Sequence, residues 1–228
     1  MATMIKPIIL AIVLHLTFSG CSFVPANLQS KQSGDLESRR IRRIAVLPPA
    51  VTAVTPAPSV PFGAAPVVAR NSEKEAPESL ARYTHAAMAA LPNWQVVSES
   101  EVREAVMNVP PSSEEAQARL KRIGETVYAD AVIMGRVQRY RERVGDEWGA
   151  KSPASVAFVL DLVDVRRGDI IWTARFDETQ KSLSESIFSL GDIGQRGVRW
   201  LSVDQLAQEG VKKAVGQLHD ILSRRPAS

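Results

Sequence analysis

Residues 154–176 read ASVAFVLDLVDVRRGDIIWTARF. In an extended chain Val156, Phe158, Leu160 and Leu162 share one face, while Val159, Asp161 and Val163 share the other. The first half therefore predicts a strand that is apolar on both sides. Arg166-Arg167-Gly168-Asp169 interrupts it as a tight turn, and DIIWTARF, residues 169–176, returns as a second strand. Just upstream, DAVIMGRVQRYRERV, residues 130–144, begins apolar on both faces and then places Arg139, Arg141 and Arg143 on one side at period two. That is the pattern of a strand leaving a core. Three antiparallel strands are expected in succession.

Working outward, Arg42-Arg43-Ile44-Ala45-Val46-Leu47 predicts a buried strand that Pro48 and Pro49 forbid from continuing. From Ser72 the period becomes helical. Glu73, Glu75 and Glu78 lie early, where the helix dipole favours negative charge, and Leu80, Tyr83, Ala87 and Leu91 fall on one stripe before Pro92. Trp94-Gln95-Val96-Val97 predicts another strand. Helices should start at Ser98 or Ser100, and again near Ser112-Ser113-Glu114-Glu115, the latter with Ala116, Leu120, Ile123 and Val127 on one face. Residues 202–224 predict an amphipathic helix packed on the sheet through Leu206, Val211, Val215, Leu218, Ile221 and Leu222. SLSESIFSLGDIGQRGVRW, residues 182–200, predicts broken helix and loop. The order implies an α/β fold with a mixed sheet of about five strands, parallel in its first part and an antiparallel meander later, flanked by helices.

The chain begins differently. Pro7 to Phe18 reads PIILAIVLHLTF, an uncharged apolar run behind Lys6 and too short for the roughly 20 residues that span a bilayer. It predicts a signal peptide over residues 1–20. Ser19, Gly20 and Cys21 follow, and they resemble the lipobox of bacterial lipoproteins, with Phe18 where that family usually has Leu. The resemblance implies cleavage between Gly20 and Cys21, attachment of lipid, palmitate included, to Cys21, and a membrane held as partner through N-terminal acyl chains. An ordinary signal peptide followed by an incidental cysteine is the rival reading. Cys21 is the single cysteine of 228 residues, so it cannot form an internal disulfide, and acylation would remove a thiol exposed to an oxidising compartment. Ser22, rather than Asp, favours placement on the outer membrane with the body in the periplasm.

Residues 21–40 are polar and aperiodic, which predicts a flexible lipidated tether. Residues 41–228 are then expected as a single periplasmic domain. A proline-rich loop at 48–70 carries Pro56, Pro58, Pro61 and Pro66 and is read either as a contact segment or as a solvated insertion. The net charge of +3 is small and its charges are interspersed, so nucleic acid is not an expected partner.

The sequence from RRIAVLPP through WQVVS to GETVYADAVIMGRV, residues 124–137, and then VLDLVDVRRGDIIWTARF resembles a group of outer-membrane lipoproteins. That group includes the curli secretion channel subunit and the penicillin-binding-protein activator, and its fold is similar to the N-terminal domain of the TolB protein. The resemblance implies a non-enzymatic subunit or regulator of an envelope synthesis or transport complex, with an unidentified envelope protein as partner and a homo-oligomer left open. An oligomeric secretion channel and an envelope enzyme acting on peptidoglycan or lipid are the alternatives.

Chemistry-bearing motifs do not assemble along the chain. His85 and His219 lack ligand spacing, Asp161 and Asp164 are three apart on a strand and face opposite sides, and no phosphate-binding glycine loop occurs. No catalytic residue, metal site or cofactor is expected. The candidate contact residues are Arg139, Arg141 and Arg143, read as an anion-binding row or a solvated strand face, and Trp148 and Trp200, read as interface anchors or core.

Overall fold

The computed structural model describes residues 27–49, 71–110, 116–145, 150–180 and 200–224. The expected signal peptide, Cys21, the loop from residue 50 to 70, Trp148 and residues 182–199 lie outside the described residues.

The elements run β1 (Leu28–Gln32), β2 (Arg43–Val46), α1 (Asn71–Ala89), β3 (Gln95–Val96), α2 (Glu99–Asn108), α3 (Ala116–Thr126), β4 (Ala131–Arg141), β5 (Val144–Gly145), β6 (Ala150–Ser152), β7 (Ser155–Asp164), β8 (Ile170–Thr179) and α4 (Val203–Ser223). Six strands form one sheet in the order β1-β8-β7-β4-β2-β3, and β5 with β6 forms a small separate ribbon. β2 pairs in parallel with β3 and β4, whereas β4–β7, β7–β8 and β8–β1 are antiparallel. The mixed α/β sheet is thus the one the alternation pattern implied, with one strand more.

That extra strand corrects the expected tether. Residues 28–32 pair with β8, Leu28 opposite Phe176 and Gln32 opposite Trp172. Their sequence is LQSKQ, with Leu28 buried and Lys31 and Gln32 exposed. Backbone hydrogen bonds on a sheet edge hold such a segment, and these require no apolar period. A short 3-10 turn follows at Leu36–Ser38, and Leu36 is fully buried. The described part of the expected tether is thus strand and turn packed on the body.

Each sheet face carries its own core. On one, Phe158, Leu160 and Leu162 of β7 meet Leu80 and Met88 of α1 and Leu206, Val211 and Leu218 of α4. On the other, Ala45, Val132 and Val163 meet Val102 and Ala105 of α2 and Leu120 and Ile123 of α3. Two-sided burial explains why β7 reads as an almost continuous apolar run. α4 crosses β8 at Gly210, where an added Cβ would stand 2.5 Å from the Phe176 ring. No larger residue allows that approach without displacing the ring.

Helix starts follow local chemistry. The Ser98 hydroxyl accepts from Glu101 N at 3.3 Å, which selects Ser98 over Ser100 as the cap of α2. Ser202 and Gln205 form a reciprocal capping box on α4, with Gln205 N donating to the Ser202 hydroxyl at 3.2 Å and Ser202 N to the Gln205 side chain at 3.0 Å.

Candidate functional site

The sheet has two ends, and the chain enters at one of them. Asn27 O accepts from Asp177 N at 2.9 Å, and its side chain bonds Glu178, so the chain's described start lies beside the end of β8. β4 leaves the sheet at the same level, since Arg139 pairs with Ala157 and Ala157 with Asp177. The arginine row therefore stands at the entry end. Arg139 bonds Ser155 and the Asp177 carboxylate, and Arg143 donates to the Trp200 carbonyl. Arg141 is exposed and its side chain has no hydrogen-bond or ion-pair partner among the described residues. The row and Trp200 are thus brought together, with two of the three guanidiniums engaged in holding strands and the entry to α4.

The same end contains a polar junction that the sequence did not announce. Tyr83 donates to Asp204 Oδ1 at 2.7 Å, and Tyr140 donates to the same oxygen. Burial first, and then the Asp204 carboxylate, push both phenols above the ordinary tyrosine range. They stay protonated at neutral pH and act as donors. Glu142 accepts from Val203 N, closing the first turn of α4 onto the end of β4.

At the far end of the sheet, charge is concentrated around the turn after β7. Asp164 accepts from the Arg166 and Arg167 backbone N–H groups at 2.8 and 3.0 Å and from the Arg39 guanidinium. Arg39 also bonds Asp35 at 2.7 Å, and that pairing holds the Asp35 carboxyl down to about 2. Asp130 accepts from the N–H groups of Arg42 and Arg43, both at 2.9 Å. An open groove of about 380 Å³ runs between these groups, lined by Arg40, Arg166 and Arg167 as well as the three aspartates. Arg40, Arg42 and Arg166 are exposed, and their guanidiniums have no partner among the described residues.

Tyr128 belongs to this end. α3 closes with Ala129 N donating to Gly124 O at 2.9 Å and Tyr128 N to Glu125 O at 3.1 Å, the paired bonds of a left-handed helix stop. The residue at its centre is usually glycine. Here it is Tyr128, at φ 53°, with 85% of its surface exposed. A bulky residue in that region costs about 1 kcal/mol or more, and the ring gains almost no burial in return. Tyr128→Gly is expected to stabilise the fold by about 1 kcal/mol, read as a higher urea midpoint with unchanged slope.

No family model matches the chain, and no curated protein matches it. Solved structures do. The PelC dodecamer from Paraburkholderia phytofirmans is similar at 13% identity over 84% of this chain and 95% of that one, with a TM-score of 0.46. Lipoprotein GNA1162 from Neisseria meningitidis is similar at 17% identity, covering 67% of this chain and 94% of that one, at 0.39. The LpoB C-terminal domain from Salmonella enterica gives 16%, 63%, 87% and 0.35. One of these similar structures is named as a lipoprotein.

The remaining sequence candidates are placed singly. His85 contacts Val97 O at 3.2 Å, and His219 contacts Pro92 O at 3.1 Å and the edge of Trp94. Asp161 serves Arg136 and Thr173, apart from the Asp164 cluster, so the two carboxylates do not share a site. The far-end surface was missed because its arginines read as strand start and turn. Its one sequence signal is a tyrosine where a helix stop calls for glycine.

Proposed function

We propose that this chain is a lipid-anchored protein of the outer membrane that works from the periplasmic side through protein–protein contacts, as a non-enzymatic subunit or regulator of an envelope synthesis or transport complex. The observation that carries the reading is where the folded body begins. β1 starts at Leu28, so only the six residues from Cys21 to Ala26 precede Asn27 at the entry end. Fully extended, they reach about 20 Å. An acylated Cys21 would hold the entry end close to the lipid surface and leave the far end, about 30 Å further along β7, turned towards other periplasmic proteins.

The anchor is tested by Cys21→Ser. The parent chain should begin at Cys21, carry acyl mass and incorporate labelled palmitate in the membrane fraction. The variant should incorporate none, because a serine hydroxyl cannot form the thioether. Labelling that persists in the variant contradicts the anchor.

A further inference from the structure

We propose that the far end of the sheet, built from Arg40, Arg42, Arg166, Arg167 and Tyr128, docks a second envelope protein through a cluster of carboxylates on that protein.

The first ground is charge. Acids at this end are already committed: Asp130 to two backbone N–H groups, Asp164 to two more and to Arg39, Asp35 to Arg39 and Arg167, and the half-exposed Asp169 to Arg39 at 3.8 Å. That leaves Arg40, Arg42 and Arg166 exposed with no partner among the described residues. A guanidinium presents a planar fork of donors that matches a carboxylate, so several around one groove favour an acidic surface.

The second ground is Tyr128. An exposed tyrosine held against its backbone preference, at the same end of the sheet as these arginines, has the composition of a protein-binding hot spot, where aromatic rings and arginines dominate. Its neighbours tie it to the same surface. Val127 O accepts from Arg43 Nε at 3.0 Å, and the Asp130 carboxylate accepts from Arg42 N.

The third ground is direction, and it rests on the anchor proposed above. A short tether at the entry end turns this surface away from lipid, so head groups are not its occupant. An acidic protein face is the occupant that fits both charge and position.

The test uses full-length protein in mild detergent, titrated into a fluorescein-labelled glutamate-rich peptide and read by anisotropy. Phosphatidylglycerol vesicles and soluble peptidoglycan strands form parallel arms. Saturable peptide binding is expected, weakened about tenfold by Arg40→Gln with Arg166→Gln and several-fold by Tyr128→Gly. Lys151→Gln, an exposed cation outside this surface, should leave it unchanged. Tyr128→Gly should weaken binding while raising Tm, a combination that a merely structural tyrosine would not give. No peptide binding, equal binding by all variants, or arginine-dependent binding of vesicles or glycan strands in place of the peptide would overturn the proposal. Peptide binding by a chain without acyl mass would support this surface while removing the anchor. An acylated chain that ignores the peptide would do the reverse.

Discussion

Replacing Asp164 with alanine is expected to lower the unfolding free energy by about 3 kcal/mol, read as a fall in the urea midpoint with little change in slope. The Asp164 side chain is 12% exposed and that of Arg39 11%, so the pair lies largely out of water. Alanine would leave Arg39 almost buried with Asp35 as its closest remaining partner, and would free the two N–H groups that Asp164 holds in the turn. Breaking a buried pair from one side is far more harmful than losing a surface pair. Asp35 is 43% exposed, and Asp35→Ala should lower the urea midpoint far less than Asp164→Ala does. Equal losses in the two variants would show that Arg39 is solvated and that the turn stands without Asp164.

The second large effect belongs to the sheet. Phe158→Ala is expected to cost about 3–5 kcal/mol, measured by the same denaturation. Phe158 is fully buried, stacks on Phe176 with centroids 5.2 Å apart at 28°, and stands opposite Val137 and Phe176 in the two flanking strands. Removing the ring opens a cavity under α4, which approaches closely at Gly210 and cannot simply settle into the space. Exposed apolar residues give the contrast. Met107→Ala, at 70% exposure, should change stability by less than about 0.5 kcal/mol.

Legibility followed the physics of each element. β7 and β8 could be read because two-sided burial leaves an apolar run bounded by a charged, glycine-containing turn, and α4 because its apolar stripe meets one face of the sheet. β1 could not, since LQSKQ is held at an edge by main-chain bonds that any side chains allow. Among the candidate contacts, a row of arginines is visible in sequence, but which of them find carboxylates depends on strand register. Arg139 meets Asp177 only because β4 and β8 flank β7, and Arg143 meets the Trp200 carbonyl only because α4 returns to the end of β4. Arg39, the centre of the far-end cluster, lay in a stretch expected to be a tether. Tyr128 becomes conspicuous once the end of α3 is fixed and its φ is known.

The proposed lipid anchor would hold the entry end of the sheet near the membrane, and that orientation can be measured. On the proposed anchor an acylated Cys21 is closed to thiol reagents, so Arg141→Cys and Arg166→Cys variants should each accept one fluorophore, and the protein is reconstituted in vesicles carrying a lipid-borne energy acceptor. Strong transfer from position 141 and weak transfer from position 166 is the expected result, given ends about 30 Å apart along the sheet. Equal transfer from both, or stronger transfer from position 166, would contradict it.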